Sequence, residues 1–444
     1  METKEIIRKQ NRFSLSDLCV YFDDKSSRDE ESGQVDKFVG LRFIDGKLSI
    51  HFPVGYKEPD KTDDKQIRLD ILNLISVLSS FGSPEAELVR NDFRSKQQNV
   101  DFPVHAYLFI ISDFLNHGYY QQKEQLYKRG TSGKINWSRT IKHVRPQIAD
   151  ESPVYLEFIT QKNLHNENAL LTLIHKYCVY ESFQKLGFLF SSYKPQKPAL
   201  SFNKSLFTSV IKSKIASTFN EKELLLFKNT LDMINYLDNS SEKKDFIYGT
   251  NNFHHVWEQL IDLVYGEKDK GKFYPKVYWK LGEKKETFTF GNSEKRNSLR
   301  PDTIMITNRG ESNQKIFVLD SKYYRYGATK NPNHLPDSGS VVKQLAYAEY
   351  IDNPKNRSKL PDGVGENITD SSIYNAFIMP AENLAPQNIG YVSADYVLSQ
   401  EADTATKSYH KIYGILLDVK SIMYKHIPKD KKLIEELADI IEKN

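Results

Sequence analysis

Two aspartates and a lysine carry the most specific chemistry in this 444-residue sequence. They lie in Arg300–Arg325, RPDTIMITNRGESNQKIFVLDSKYYR. Pro301-Asp302 opens an apolar run, Thr303–Ile306, and the polar segment Asn308–Gln314 reverses the chain. A second run, Lys315–Leu319, ends in Asp320-Ser321-Lys322. The carboxylates are 320 − 302 = 18 residues apart, so a hairpin can bring them to one end of a sheet. Two carboxylates there can hold Mg²⁺, a hard cation that prefers oxygen ligands, with Mn²⁺ as a substitute. The Ser321 backbone carbonyl can add a ligand. Such a metal neutralises charge on a phosphodiester and lowers the pKa of a bound water. Lys322 lies two residues past Asp320, so strand alternation predicts both side chains on one face. Its ammonium can orient the water or stabilise developing charge.

The pattern stands out from its background. Pro-Asp also occurs at Asp60, Asp337 and Asp362, and Asp-x-Lys starts at Asp23, Asp63, Asp418 and Asp430. Only Asp302 combines a β-run behind it with a second β-run ending in Asp-x-Lys. An ordinary hairpin with charged ends has the same spacing. Glu258, in FHHVWEQLIDLVYG, can supply a third carboxylate from the preceding helix, or can be a solvated helix acid. Gln344, in VVKQLAYAEY, sits on the helix after the second strand and shares a face with Tyr347. Packing and surface roles suit Tyr347 and Tyr350 equally. Lys322-Tyr323-Tyr324-Arg325-Tyr326 interleaves basic and aromatic residues, which suits phosphate contact and stacking. Strand alternation directs about half of these side chains into the core, leaving Tyr323 and Arg325 as contact candidates.

The elements that must position these groups follow from periodicity. Asp23–Gln34 reads as a surface loop and Phe38–Tyr56 as a hairpin turning at Asp45-Gly46. Apolar spacing predicts helices over Leu69–Phe81, Asn166–Leu186, Phe219–Leu237, Phe253–Val264 and Val341–Ile351, and a charged helix from Lys429. Strands are expected at Lys276–Leu281, Thr287–Phe290, Thr303–Thr307, Lys315–Asp320, Ser372–Met379 and Lys411–Leu417. Asp238–Asn252 reads as a linker. The expectation is an α/β (α+β) protein in two domains. Residues 1–245 form a mixed α/β domain for partner or DNA recognition, and residues 246–444 carry the metal site. Tyr119–Ile148 is basic, aromatic and turn-rich. Within it, Lys134, Trp137, Arg139, Lys142 and Arg145 are candidates for contact with nucleic acid or a partner. The plainer reading makes Trp137 a core residue and the basic groups solvated.

Composition narrows the classes. Lys+Arg minus Asp+Glu is 62 − 58 = +4, which excludes a uniformly basic coat but not a local basic groove. The acidic run Asp29–Glu31 should lie away from any such groove. Two cysteines, Cys19 and Cys178, make no disulfide framework and no cysteine zinc site. The start lacks an apolar signal region, and no run approaches the ~18 apolar residues of a membrane helix. A cytoplasmic setting is expected. Gly266–Lys272 (GEKDKGK) fits G-x-x-x-x-G-K, but Phe273 replaces the Ser or Thr a P-loop needs, so it reads as a charged turn. No nucleotide is expected on this chain. His254-His255 are adjacent on a helix, about 100° apart, and are not expected to pair on a metal.

The strand–turn–strand layout resembles PD-(D/E)xK nucleases. The chain more broadly resembles the LlaJI-type restriction endonuclease family and, more distantly, McrC-like nuclease subunits. The carrying segments are FPVGY, GKINWSRTI, PVYLEF, HKYCVYESFQKLG, NFHHVWEQL, RPDTIMI, FVLDSKYY, QLAYAEY and YNAFIMP. The resemblance implies a PD-(D/E)xK mixed sheet flanked by helices and Mg²⁺-dependent cleavage of double-stranded DNA. Asp302 and Asp320 would be metal ligands and Lys322 the catalytic lysine, with Glu258 less firmly placed. It further implies a McrB-like AAA+ GTPase partner, against which the segment Lys128–Arg145 would dock. An autonomous type II enzyme with its own sequence reader, cutting through two copies, and a non-catalytic DNA-binding or motor-activating adaptor are the alternatives.

Overall fold

The computed structural model describes residues 19–21, 38–44, 47–57, 59–60, 63–81, 102–149, 152–166, 168–237, 246–282, 287–288, 299–369, 372–382, 385–399 and 405–443. The loop Asp23–Gln34 with its acidic run, the Asp45-Gly46 turn and residues 238–245 of the expected linker lie outside them. The chain forms two compact units, and no single cut near residue 245 separates them. Among the described residues, 102–237 make one unit, and 19–81 join 247–443 in the other.

The first described residues belong to the second of these, the sheet unit. Strand β1 (Cys19–Tyr21) runs parallel to β3 (Lys47–His51), which pairs antiparallel with β2 (Val39–Ile44). Helix α1 (Asp64–Phe81) follows and buries Ile67, Ile71, Leu74, Ile75 and Leu78, the helical spacing the sequence displays.

The chain then builds the helical unit. Helix α2 (Val104–His117) leads into β4 (Gln122–Gly130) and the short β5 (Lys134–Ile135). Helix α3 (Trp137–His143), strands β6 (Gln147–Ala149) and β7 (Ser152–Val154), and β8 (Phe158–Asn166) come next. β8 pairs antiparallel with β4 from Gln122↔Asn166 to Gly130↔Phe158, and with β5 on its other edge. Helices α4 (Leu170–Leu186), α5 (Lys204–Ala216) and α6 (Glu221–Tyr236) complete the unit, burying Ile174, Cys178, Phe207, Phe227 and Met233.

The sheet unit then resumes. β9 (Phe246–Thr250) takes the edge beside β2, so the first small sheet has the order β1-β3-β2-β9. Helix α7 (Phe253–Tyr265) precedes the paired β10 (Trp279–Lys280) and β11 (Thr287–Phe288). β12 (Thr303–Thr307) and β13 (Lys315–Ser321) form the expected hairpin. Its turn places Asn308 at φ 49° and Gly310 at φ 81°. The buried Gln314 closes it, accepting from the Gly310 N–H at 2.9 Å and donating to the Val364 carbonyl at 3.0 Å. The short α8 (Tyr326–Thr329) and the longer α9 (Ser338–Asp352) follow. β14 (Ile373–Ala381), β15 (Gln387–Val392), β16 (Ile412–Asp418), α10 (Val419–Tyr424) and α11 (Lys431–Glu442) end the unit. The main sheet has the order β12-β13-β14-β16-β15. Its three central strands are parallel and its two edges antiparallel. β13 and β14 are buried over nearly all their length, as central parallel strands covered on both faces must be. The fold is thus mixed α/β around a five-stranded mixed sheet.

The reason 19–81 joins this unit is chemical as well as geometric. Asp70 of α1 is wholly buried and accepts from Lys420 Nζ at 2.6 Å, Tyr424 Oη at 2.6 Å and Gln66 Nε2 at 2.7 Å. A buried carboxylate needs such partners, and two of the three come from α10. The chain after β3 crosses Gly55, whose φ of 73° favours glycine and whose Cβ would press on the Ala381 backbone at 3.0 Å. Among the described residues, no helix is long and apolar enough to cross a membrane.

Candidate active site

The β12–β13 register decides where the carboxylates fall. Thr303 lies opposite Leu319, so one step further Asp302 lies opposite Asp320. The two carboxylates are near neighbours there, and Asp302 Oδ2 accepts from the Ser321 N–H at 2.8 Å. Burial pushes the Asp302 pKa far above the ordinary carboxylate range. The hydrogen bond and charge of Asp320, then the charge of Glu258, push it further, against the pull of the Ser321 N–H.

Lys322 Nζ meets Asp320 Oδ2 at 2.8 Å. Burial alone would lower its pKa, but the neighbouring Asp320 and Asp302 outweigh burial and raise it, so the ammonium is charged. Asp320 and Lys322 meet on one side, as their i, i+2 spacing predicts. β13 is assigned to Ser321, and the Lys322 N–H still donates to the Ile378 carbonyl of β14 at 2.9 Å, continuing the ladder.

Glu258 is carried by α7, whose apolar stripe includes Trp257, fully buried, with its indole N–H donating to the Ile378 carbonyl at 3.4 Å. This fixes the helix on the sheet and leaves Glu258 half-buried at the stripe's edge, 3.4 Å from His255 Nδ1. Its charge reaches Asp302, so it belongs to the same cluster. Even so, among the described residues no three His, Cys, Asp or Glu side chains converge as a metal-binding group. The oxygen donors a hard cation would find are the Asp302 and Asp320 carboxylates, the Ser321 carbonyl and, at the margin, Glu258. Two carboxylates that the register places opposite each other are hard oxygen donors that suit a divalent cation.

Gln344 is fully buried on α9, donating from Nε2 to the Val318 carbonyl at 2.5 Å, while its Oε1 and the Ser321 Oγ have no protein partner. Tyr347, on the same helical face, is pushed up to about 12 by burial and then by the charges of Asp320 and Asp302. The rest of the basic-aromatic cluster is not strand, and alternation does not apply. Tyr323 turns its ring to Phe253, with centroids 5.4 Å apart, and its hydroxyl accepts from the Val54 N–H at 2.8 Å. Tyr324 and Tyr326 pack on Met379, Ala381 and Leu416. Arg325 and Lys322 line a cavity of about 620 Å³ with Ser321 and Glu258.

One positioning group escaped the sequence reading. Lys270, in the segment set aside as a charged turn, donates to Asp262 Oδ2 at 2.6 Å and to the Asp302 backbone carbonyl at 2.8 Å. That segment is a 3₁₀ turn after α7, as a charged turn would be. The only hint in sequence was a lysine within reach of an acid on the preceding helix turn.

The second group of candidates lies in the helical unit. In Gly133–Ile141, Gly133 takes φ 115° and Asn136 caps α3, accepting from the Arg139 N–H at 3.0 Å. The buried Thr140 hydroxyl donates to the Asn136 carbonyl and accepts from the Ile159 N–H, both at 2.9 Å. These residues hold the turn, while Lys134, Lys142 and Arg145 are exposed around it. Trp137 is 53% exposed, which overturns the reading of it as core. Its ring meets Phe158 edge-on at 5.5 Å, and Arg139 lies 3.8 Å over the Tyr127 ring.

A hairpin thus joins two acids and a lysine at the end of a mixed sheet, and comparison with known proteins gives the chain's lineage. The family model for LlaJI restriction endonucleases matches residues 38–413, and the chain belongs to that family. A curated relative, the type II restriction enzyme BsuMI component YdjA of Bacillus subtilis strain 168, is 25% identical over 340 residues, covering 70% of this chain and 68% of its own. Among solved structures, the Thermococcus gammatolerans assembly of McrB AAA+ hexamers with bound McrC overlays 91% of this chain and 83% of its own, at 14% identity and a TM-score of 0.36. That overlay is too loose to carry an argument.

Proposed function

We propose that the chain is a Mg²⁺-dependent deoxyribonuclease of the PD-(D/E)xK type, the cutting component of a multi-chain restriction system. The observation that carries this is the Asp302–Asp320 pair, set opposite each other by the β12–β13 register with Lys322 2.8 Å from Asp320, in a member of a restriction endonuclease family. Asp302, Asp320 and the Ser321 carbonyl would hold the metal, and Glu258 would add a carboxylate at its margin. The bound ion would supply charge neutralisation and a water of lowered pKa. Lys322, kept charged by its acids, orients that water and stabilises charge on the phosphate oxygens. Gln344 fixes β13 from behind by its bond to Val318, which keeps Asp320 in register.

The relative's printed name, a type II restriction enzyme component, supports a division of labour among chains. We assign double-stranded DNA as substrate and an AAA+ GTPase, McrB-like, as partner. The exposed Trp137, Lys134, Arg139, Lys142 and Arg145 supply a surface for that partner or for DNA. Cleavage assays test both levels. Asp320→Ala should abolish Mg²⁺-dependent cutting while DNA binding persists, and Lys322→Ala should slow it about 10²–10³-fold. Cutting that survives Asp320→Ala sinks the site. Cutting of a fixed sequence by the lone chain, without GTP or partner, sinks the motor dependence and favours an autonomous enzyme.

A further inference from the structure

The ribbon of β10 and β11 supplies nothing to the metal site, yet its base is built into the same hairpin. Phe273, at the end of the 3₁₀ turn, is fully buried in one cluster with Ile304 and Ile306 of β12. The Pro275 carbonyl then accepts from the Leu299 N–H at 2.9 Å, just ahead of Asp302 in the chain. Lys270, in the same turn as Phe273, holds the Asp302 carbonyl at 2.8 Å. The base of the ribbon is therefore fixed to the strand that carries Asp302.

Beyond that base the ribbon is bare. Every residue from 276 to 282 is exposed, including Val277, Tyr278, Leu281 and Trp279, the last at 61%. Trp279 and Lys280 are adjacent in β10, so their side chains leave opposite faces, and both are exposed. Among the described residues, none covers either face there. Two-stranded ribbons are marginal in water alone, and large apolar groups exposed together mark a contact surface. The charge around them selects the partner. Residues 270–300 hold nine Lys and Arg against Glu283, Glu286 and Glu294, so 9 − 3 = +6, where the whole chain carries +4. Lys276 and Lys280 bracket Tyr278 and Trp279, and among the described residues no acid pairs with either lysine. A cationic ribbon with apolar groups suits a polyanion, and the DNA major groove is wide enough to admit two strands.

We propose that the β10–β11 ribbon enters the major groove of the duplex beside the cut, with Lys276 and Lys280 on phosphates and Trp279 against base edges. The inference rests on the nuclease reading of Asp302 and Asp320, which brings a duplex to the strand that anchors the ribbon. Because that anchor includes the Asp302 carbonyl, the ribbon sets how the duplex lies against the carboxylates.

The test uses the full chain carrying Asp320→Ala, short DNA duplexes, and acrylamide quenching of tryptophan fluorescence. Comparison with the same chain carrying Trp279→Phe isolates the Trp279 signal. Saturating duplex should reduce quenching of Trp279 several-fold. Methyl green, which occupies the major groove, should compete with the protein, and netropsin, which occupies the minor groove, should not. Lys276→Ala with Lys280→Ala should weaken binding of every duplex sequence. It should also flatten the slope of log K against log salt by about 0.9 for each lysine. The quenching measurement leaves the ribbon's own residues in place, so it reads the contact even if the lysine variant misfolds. Unchanged Trp279 quenching with duplex bound, competition by netropsin alone, an unchanged salt slope in the folded lysine variant, or no duplex binding by the parent at low salt overturns the proposal. Failure of the nuclease reading shows separately, as cutting that survives Asp320→Ala while duplex still shields Trp279.

Discussion

At the scale of single residues, protonation separates the two units. His175 in the helical unit is buried, accepts from the Tyr120 N–H at 3.0 Å, and has its pKa lowered by burial to about 4. The unfolded chain binds that proton near pH 6.5 and the folded chain near 4, so stability is lost as pH falls through that window. The loss should reach about 3 kcal/mol by pH 4, and His175→Gln should flatten it in thermal melts taken across pH. In the sheet unit the decisive single group is Lys270. Lys270→Met should raise the Mg²⁺ needed for half-maximal cleavage about 10–100-fold, because the carbonyl it holds belongs to Asp302. A Mg²⁺ titration of the cleavage rate measures it. Asp302, Asp320 and Lys322 could be read from sequence because their spacing is local to one hairpin. Lys270 could not, since its bond to a backbone carbonyl 32 residues away leaves no pattern in residue types.

At the scale of elements, two contacts tie α1 and the segment after β3 to the sheet. Asp70→Ala leaves Lys420 and Tyr424 without their buried partner and should cost roughly 3–5 kcal/mol in urea unfolding. Gly55→Ala meets both a φ of 73° and the Ala381 backbone at 3.0 Å, and should cost about 1–3 kcal/mol by the same measure. Elements with a strong apolar period, such as α1, α7, β12 and β13, were legible within a few residues. β4 and β8 were not. Their long pairing carries polar residues such as Gln125, Lys128 and Lys162 on exposed positions, so neither strand shows an alternating apolar face. Helix α5 was missed for a related reason, since among its described side chains only Phe207 and Ile211 are buried. The run after β13 misled in the opposite direction, because Tyr-rich sequence suggests strand where α8 begins.

At the scale of the whole molecule, the unit that holds Asp302 and Asp320 draws on both ends of the described chain. A protein that starts at residue 247 lacks β2, β3 and α1, and leaves Lys420 and Tyr424 facing a missing carboxylate. It should show no fixed near-ultraviolet circular dichroism and no cleavage. A natively folded, cutting fragment would disprove the dependence. The sequence hid this because linker composition marks where the chain leaves a unit, not where it returns. The interleaving also sets a clock during synthesis. The hairpin β2–β3 leaves the ribosome some 270 residues before β13 is complete, which at ~5–20 residues per second is roughly 15–55 s. Throughout that interval the helical unit can fold, but the acids and the lysine have no finished sheet to assemble on. A nascent chain therefore holds its two aspartates and lysine apart from a finished sheet until well over half of it has been translated.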